Sequence, residues 1–290
     1  MSATQSVLTD GAPLDLRLAE DELAATRERI TTFVEETVAA AGADGAVVGL
    51  SGGIDSTTVA YLAVEALGAD RVHGLVMPSE VNADENMSDA ERVADDLGVR
   101  CDVLDIDPVV EAALDVAPDE PAADAERGER VVSDRLRTAT GNVRVRARAV
   151  LNYFVANAEN RVVLGTGNRS ETLTGYFTKY GDGAVDCNPI GNLYKQQVRQ
   201  LAADLGVPRD LVMKTPSAEM WEGQTDEAEM GVGYDTLDAI LALHVDGPLS
   251  AAATVRALDG VDHGHVERVD ELYRTSEHKR SLPPAPELPV

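Results

Sequence analysis

Apolar positions along the chain fall into two alternating patterns. Short apolar runs lie near residues 46–50, 72–77, 100–106 and 161–164. Between them, apolar residues recur at helical spacing over 31–41, 56–67, 84–97, 142–158 and 194–205. Runs of the first kind predict buried strands and stretches of the second predict amphipathic helices; Gly68 stands where a helix C-cap is expected. Strands alternating with helices predict an α/β fold, a doubly wound parallel sheet with helices on both faces. Such sheets bind ligands beyond the carboxyl ends of their strands. The expected organisation is a flexible tail over residues 1–20, a single domain over 21–280, and a proline-rich tail over 281–290. A polar, proline-bearing stretch over 118–128 interrupts the domain.

The first strand runs directly into GLSGGIDST, residues 49–57. Glycines in a strand-to-helix turn let an anion approach the backbone. There the first N–H groups of the helix lack intrahelical partners and its dipole favours negative charge. The common loop G-x-x-x-x-G-K-[ST] is absent, since no lysine follows a glycine. Ser51 and Ser56 can donate to phosphate oxygens instead. Asp55 joins a phosphate only through a cation, which points to Mg²⁺. The arrangement resembles the S-G-G-x-D-S loop of ATP-pyrophosphatases.

The strand at 161–164 leads into T166-G-N-R-S-E171. Its G-x-G-x-x-S spacing misses the dinucleotide fingerprint, and a better phosphate loop lies upstream. Thr166 and Glu171 are instead expected on the same sheet edge as the glycine loop, where Glu171 supplies a second carboxylate for Mg²⁺ beside Asp55.

The 290 residues carry 51 acids against 25 bases, a net charge of −26. That excludes a broad nucleic-acid face, which needs a basic footprint. The acids are dispersed through helices, a pattern suited to a halophilic cytoplasm where salt screens self-repulsion. Only Lys179, Lys195, Lys214 and Lys279 are lysines. A high-salt surface and a GC-rich genome each account for that depletion. No apolar run reaches membrane-spanning length and the first residues lack signal-peptide character, so the expected location is the cytoplasm. Cys101 and Cys187 form no C-x-x-C pair and imply neither zinc nor a disulfide framework. His263 and His265 are read as a solvated turn and Trp221 as a packing residue. The seven arginines over 127–148 are read as a phosphate-binding or subunit-pairing segment.

The segment GTGNRSETLTGYFTKYGDGAVDCNPIGNLYKQQVRQLA, followed by KTPSAEMWEGQTDEAEMGVGYD, resembles the NAD synthetases in their single-domain, ammonia-dependent form. With GLSGGIDS before it and HK near the end, the similarity spans most of residues 22–280. The resemblance implies the ATP-pyrophosphatase (adenine-nucleotide alpha-hydrolase-like) fold. It implies that Gly49, Leu50, Ser51, Gly52, Gly53, Ile54, Asp55 and Ser56 bind ATP together with Thr166, Lys195 and Ser217. Ser217 stands where the family usually has threonine. Asp55 and Glu171 become the Mg²⁺ ligands. Arg146, Lys179, Asp186, His278 and Lys279 would hold deamido-NAD (nicotinic acid adenine dinucleotide), with Arg144 and Arg148 as alternatives to Arg146. The four retained lysines agree with this, three on ligand positions and Lys214 in the K-T-P-S-A stretch.

The implied reaction is adenylation of the nicotinate carboxylate by ATP, then attack by ammonia to give NAD, AMP and pyrophosphate. The chain has no room for a glutaminase domain, so free ammonia is the expected donor. A homodimer is implied, with helices around 142–158 as the candidate interface. A GMP-synthetase-type amidotransferase subunit would share SGGIDS but lack the FTKYGD run.

Overall fold

The computed structural model describes residues 12–80, 84–117, 129–218, 220, 221 and 223–286. Four parallel strands form the sheet: β1 (Gly45–Leu50), β2 (Val72–Val76), β3 (Arg100–Val103) and β4 (Arg161–Leu164), in the order β3-β2-β1-β4. β1 pairs with β2 from Ala46–Val72 to Leu50–Val76, and with β4 from Gly45–Arg161 to Val48–Leu164. The chain therefore winds outward from β1 through β2 to β3, then returns to place β4 on the other side of β1. Between β1 and β4 the winding reverses, and a crevice opens beyond the strand ends at such a point. Both motifs singled out in the sequence, after β1 and after β4, flank it.

Period-two alternation divides the strand residues between two cores. Ala46, Val48, Leu50, Val162 and Leu164 pack with α1 (Glu20–Ala40), α2 (Ile54–Leu67), α3 (Asp84–Leu97) and α7 (Lys195–Asp204). Val47, Leu75 and Val163 face the opposite side. They meet Val110 of α4 (Asp107–Asp115) and Ala147 and Ala156 of α5 (Glu129–Ala158). Helices thus cover both faces, as the alternation predicts. A third apolar cluster lies in the C-terminal helices α9 (Asp226–Met230), α10 (Tyr234–Ile240), α11 (Ala251–Ala257) and α12 (His263–Thr275); α13 (Glu277–Arg280) follows without joining it. The short α6 (Arg169–Thr174) and α8 (Arg209–Val212) complete the α-helices among the described residues, beside a 3₁₀ turn at Ala69–Arg71 and a π-helical turn at Leu241–Val245.

Several boundaries differ from expectation. α1 starts at Glu20 rather than near 31. Its first turn is acidic (Glu20, Asp21, Glu22), which suits a helix N-terminus but leaves little apolar pattern to detect. α5 starts at Glu129 rather than 142, running through Gly141, a poor helix former. A Cβ at Gly141 would lie 2.7 Å from Met220 Cε, so the glycine admits the loop beyond α8. α4 and the helices beyond α7 were not expected, and β3 stops at Val103. The histidine pair opens α12, where Asp262 accepts from His265 N at 3.0 Å.

Residues 12–19 fall within the stretch expected to be a loose tail, yet those at 14–18 are tied to α7. Gln196 accepts from Leu16 N at 3.2 Å and donates to Leu14 O at 3.2 Å. Gln200 does the same with Leu18 N (2.8 Å) and Leu18 O (2.9 Å). Residues 1–11, 118–128 and 287–290, on which parts of the tail and linker expectations fall, lie outside the described residues; 281–286 are exposed.

Candidate active site

β1 ends at Leu50 and α2 begins at Ile54, leaving a three-residue turn. Gly52 there has φ +72°, a left-handed conformation that side chains disfavour. The hydroxyls order the turn. Ser56 Oγ accepts from Ser51 N at 3.2 Å and donates to Gly53 O at 3.1 Å, and Ser51 Oγ accepts from Gly53 N at 3.3 Å. Lys214, in the loop beyond α8, donates to Gly52 O at 3.3 Å and pairs with Asp89 of α3.

Across the crevice, β4 passes through Gly165 into α6. A Cβ at Gly165 would stand 2.1 Å from Asn188 Oδ1, so only glycine lets the 185–188 segment close against the strand. Asn168 caps α6. Its Oδ1 accepts from Glu171 N at 3.0 Å, while Glu171 Oε2 accepts from Asn168 N at 3.2 Å. The same side chain donates through Nδ2 to Asp55 Oδ1 at 2.9 Å, joining the two loops. The N-x-x-E spacing at 168–171 was a legible helix-start signal that the sequence reading did not use.

Lys195, the first residue of α7, is only 1 % exposed. Its ammonium bonds to Asp55 Oδ2, lies 3.5 Å from Glu171 Oε1 and sits 4.8 Å from the centre of the Tyr234 ring. Burial alone would favour its neutral form. The charges of Asp55 and Glu171 outweigh burial and hold its pKa above the usual lysine range. Two acids share this one ammonium. Burial, then the charge of Asp55, push Glu171 up to about 8 against the pull of Lys195. Tyr234 donates to Asp226 Oδ2 at 2.8 Å and lies 3.4 Å from Glu171 Oε1. Asp226, 4 % exposed, keeps its other oxygen buried without a hydrogen-bond partner. Asp226 and Tyr234 escaped the sequence reading because no strand-end motif marks them.

These features fit Mg²⁺. Two carboxylates on the first turns of separate helices, α2 and α6, face one cavity and share the single ammonium of Lys195; Glu171 resists ionisation there, and a further cation would favour its charged form. No group of three or more His, Cys, Asp or Glu arranged as a complete metal cage occurs among the described residues. Oxygen donors beyond Asp55 and Glu171 would therefore come from phosphate and water.

A cavity of about 520 Å³ opens over these groups. Residues 49–51 and 53–56 line it, with Thr166, Glu171, Lys195, Ser217 and Lys279. Gly52, Arg146, Lys179, Asp186 and His278 are not among its walls. Arg148, the alternative to Arg146, does line it and donates to Met77 O at 2.9 Å. Arg144 pairs with Glu80 at 3.0 Å. Arg146 donates to Lys179 O at 3.1 Å, and Lys179 Nζ donates to His278 O at 2.5 Å. Those three residues therefore form one connected edge outside the cavity. Lys279 Nζ donates to Gly175 O (2.7 Å) and Phe177 O (2.8 Å), and its burial lowers its pKa. Asp186 accepts from Val163 N at 2.7 Å and from Tyr153 OH at 3.2 Å. Trp221 stands at the cavity wall with the Arg137 guanidinium 4.7 Å over its ring.

The reversed parallel sheet, the glycine loop on a helix N-terminus and the facing acids define an ATP-pyrophosphatase-type domain. The family described as NAD synthase matches residues 26–283, and the chain belongs to it. It is 60 % identical over 286 residues to the NH(3)-dependent NAD(+) synthetase of Halobacterium salinarum, covering 99 % of this chain and 100 % of that one. The protein of that name from Hyperthermus butylicus is 48 % identical, covering 89 % and 88 %. Among solved structures, NMN synthetase from Francisella tularensis superposes with a TM-score of 0.75 at 34 % identity, covering 92 % of this chain and 99 % of that one. NH3-dependent NAD synthetase from Campylobacter jejuni, solved with nitrate, gives 0.72 at 28 % identity, covering 91 % and 99 %.

Proposed function

We propose that the chain amidates deamido-NAD with ammonia at the expense of ATP, giving NAD, AMP and pyrophosphate. The observation that carries this reading is the single cavity in which the turn after β1 faces Lys195, Asp55 and Glu171. The triphosphate lies along residues 49–56, where the free N–H groups of α2 and the Ser51 and Ser56 hydroxyls meet its oxygens. The nicotinate carboxylate attacks the α-phosphorus, and pyrophosphate leaves as an acyl-adenylate forms. Negative charge grows on the departing oxygens. Lys195 offsets it, protonated and already fixed, so little reorganisation is needed. Bound Mg²⁺, held by Asp55 and Glu171, would supply further electrostatic stabilisation there. Ammonia then attacks the acyl carbon and AMP leaves. The remaining work is positioning: Thr166 and Ser217 at the ATP side, and Lys279 with the edge formed by Arg146, Lys179 and His278 at the dinucleotide side.

That edge lies outside the cavity of one chain, which supports completion of the dinucleotide site by a second copy. Val150 and Phe154, one turn apart on α5, are 63 % and 70 % exposed and supply an apolar face for a homodimer. Sedimentation of a fully active monomer would defeat the dimer. A cytoplasmic location agrees with the finding that no helix among the described residues is long and apolar enough to cross a membrane. Following multiple-turnover pyrophosphate release with each substrate withheld in turn tests the reaction: loss of turnover in every case, with at most one equivalent released when only ammonia is withheld, supports it, and release without deamido-NAD rejects it.

A further inference from the structure

The backbone contacts that place Glu171 and Lys195 converge on a residue that bonds to neither side chain. Asp238, in α10, is 0 % exposed. One of its oxygens accepts from Ser170 Oγ at 2.5 Å, and the other accepts from Gln196 N at 3.0 Å. Ser170 Oγ in turn accepts from Lys195 N at 3.0 Å. Ser170 immediately precedes Glu171, and Gln196 immediately follows Lys195. The start of α6 and the start of α7 therefore hang on one buried carboxylate.

The physical logic is that of a helix cap supplied from elsewhere in the fold. The first N–H groups of α7 have no intrahelical acceptors, and its N-cap residue, Tyr194, makes no side-chain hydrogen bond to them. An anion at that end is also favoured by the helix dipole. A neutral hydroxyl or amide would satisfy the same N–H groups at lower desolvation cost. Burial does push Asp238 up to about 6, against the bonds from Ser170 and Gln196 and the charge of Arg199, which leaves it ionised at neutral pH. A buried charge bonded to the two segments that carry Glu171 and Lys195 is an expensive way to stabilise a core. It is an effective way to fix a distance.

We propose that Asp238 is a positioning residue for adenylation, setting the separation of the Lys195 ammonium from the Glu171 carboxylate through Ser170 Oγ and the Gln196 N–H. This rests on the proposed reaction. Misplacement by about 1 Å can cost about 100-fold in rate, so loosening either bond should be read in turnover rather than in dinucleotide binding.

The test compares Asp238→Asn, Ser170→Ala and the double variant by single-turnover pyrophosphate release, equilibrium binding of ATP and of deamido-NAD, and thermal melting. Ser170→Ala leaves the carboxylate in place and removes only the relay to α6 and Lys195, so it decides the matter if Asp238→Asn does not fold. The expected result is folded protein with adenylation slowed at least tenfold at saturating substrates, ATP binding weakened and deamido-NAD affinity within twofold of wild type. The double variant should be at most threefold slower than the slower single, because both changes break one unit. Adenylation within twofold of wild type in a folded variant, or fully multiplicative losses, would overturn the proposal. If the wild type itself released no pyrophosphate, the proposed reaction would fail instead. ATP affinity would then still decide the role of Asp238, with unchanged affinity in both single variants counting against it.

Discussion

The Lys195 ammonium bonds to the Asp55 carboxylate across 140 positions of the chain. The contact joins the turn after β1 to the start of α7, and Glu171 completes it at 3.5 Å from the same nitrogen. Two partly buried acids against one buried base is an arrangement that a stable core would avoid. It makes sense where a bound cation and a polyphosphate finish the charge balance.

Replacing either acid by its amide should therefore separate stability from activity. Asp55→Asn and Glu171→Gln should each slow pyrophosphate release at least about 100-fold at millimolar Mg²⁺, by loss of a charged oxygen ligand. In metal-free buffer near neutral pH, Glu171→Gln should melt at or above the wild-type temperature, because the acid already resists ionisation in the fold. Near-normal pyrophosphate release would remove that residue from the metal site.

Lys195 and Lys279 should part the two substrates. Lys195→Met leaves two partly buried acids without their ammonium, so the loss of stability should fall below the about 3–5 kcal/mol of breaking a fully buried pair. It should also weaken ATP use. Lys279→Ala should raise the deamido-NAD concentration required while direct ATP binding stays near normal. Lys179→Ala should act in the same direction as Lys279→Ala, since Lys179 is bonded to His278, the residue before Lys279. Equilibrium binding of each nucleotide separately checks this; loss of ATP binding in Lys179→Ala would count against the assignment.

Asp238 makes a pH dependence with a definite sign. Its folded pKa is raised from 3.8 to about 6, so between those values the folded state holds the proton more tightly than the unfolded chain. Its contribution is fully present below the lower value and is lost as pH rises through about 6, by about 3 kcal/mol. The stability of wild type relative to Asp238→Asn should fall by that order between pH 4 and pH 7. A constant difference across that interval, in denaturant melts at matched salt, would contradict the shift.

Net charge gives a prediction independent of the enzyme assignment. At −26 the folded chain repels itself, and 1 M KCl screens charges over roughly 3 Å. The melting temperature should rise between dilute and molar KCl. An unchanged or lowered value would reject adaptation to high salt while leaving the chemistry untouched.

The parts of this site legible in the sequence are those where chemistry and chain are local. SGGIDS sits on one strand-to-helix turn, and Glu171 lies seven residues beyond the end of β4. Both follow from strand periodicity and the rule that ligands bind beyond strand ends. Asp226, Tyr234 and Asp238 were not legible, because they come from short helices after α7 whose apolar residues serve a separate cluster. Their roles arise from packing across long sequence separation, with Asp238 meeting Ser170 68 positions away. The choice among Arg144, Arg146 and Arg148 needed the orientation of α5, which places Arg148 at the cavity and Arg146 on Lys179 O.

The most direct measurement is product stoichiometry in purified protein supplied with ATP, Mg²⁺, ammonium and deamido-NAD, with nicotinic acid mononucleotide as a competing acceptor. The account predicts NAD, AMP and pyrophosphate in equal amounts. It predicts no amide product when glutamine replaces ammonium, and a clear preference for the dinucleotide over the mononucleotide. Phosphate and ADP in place of pyrophosphate and AMP, or amidation confined to the mononucleotide, would contradict it.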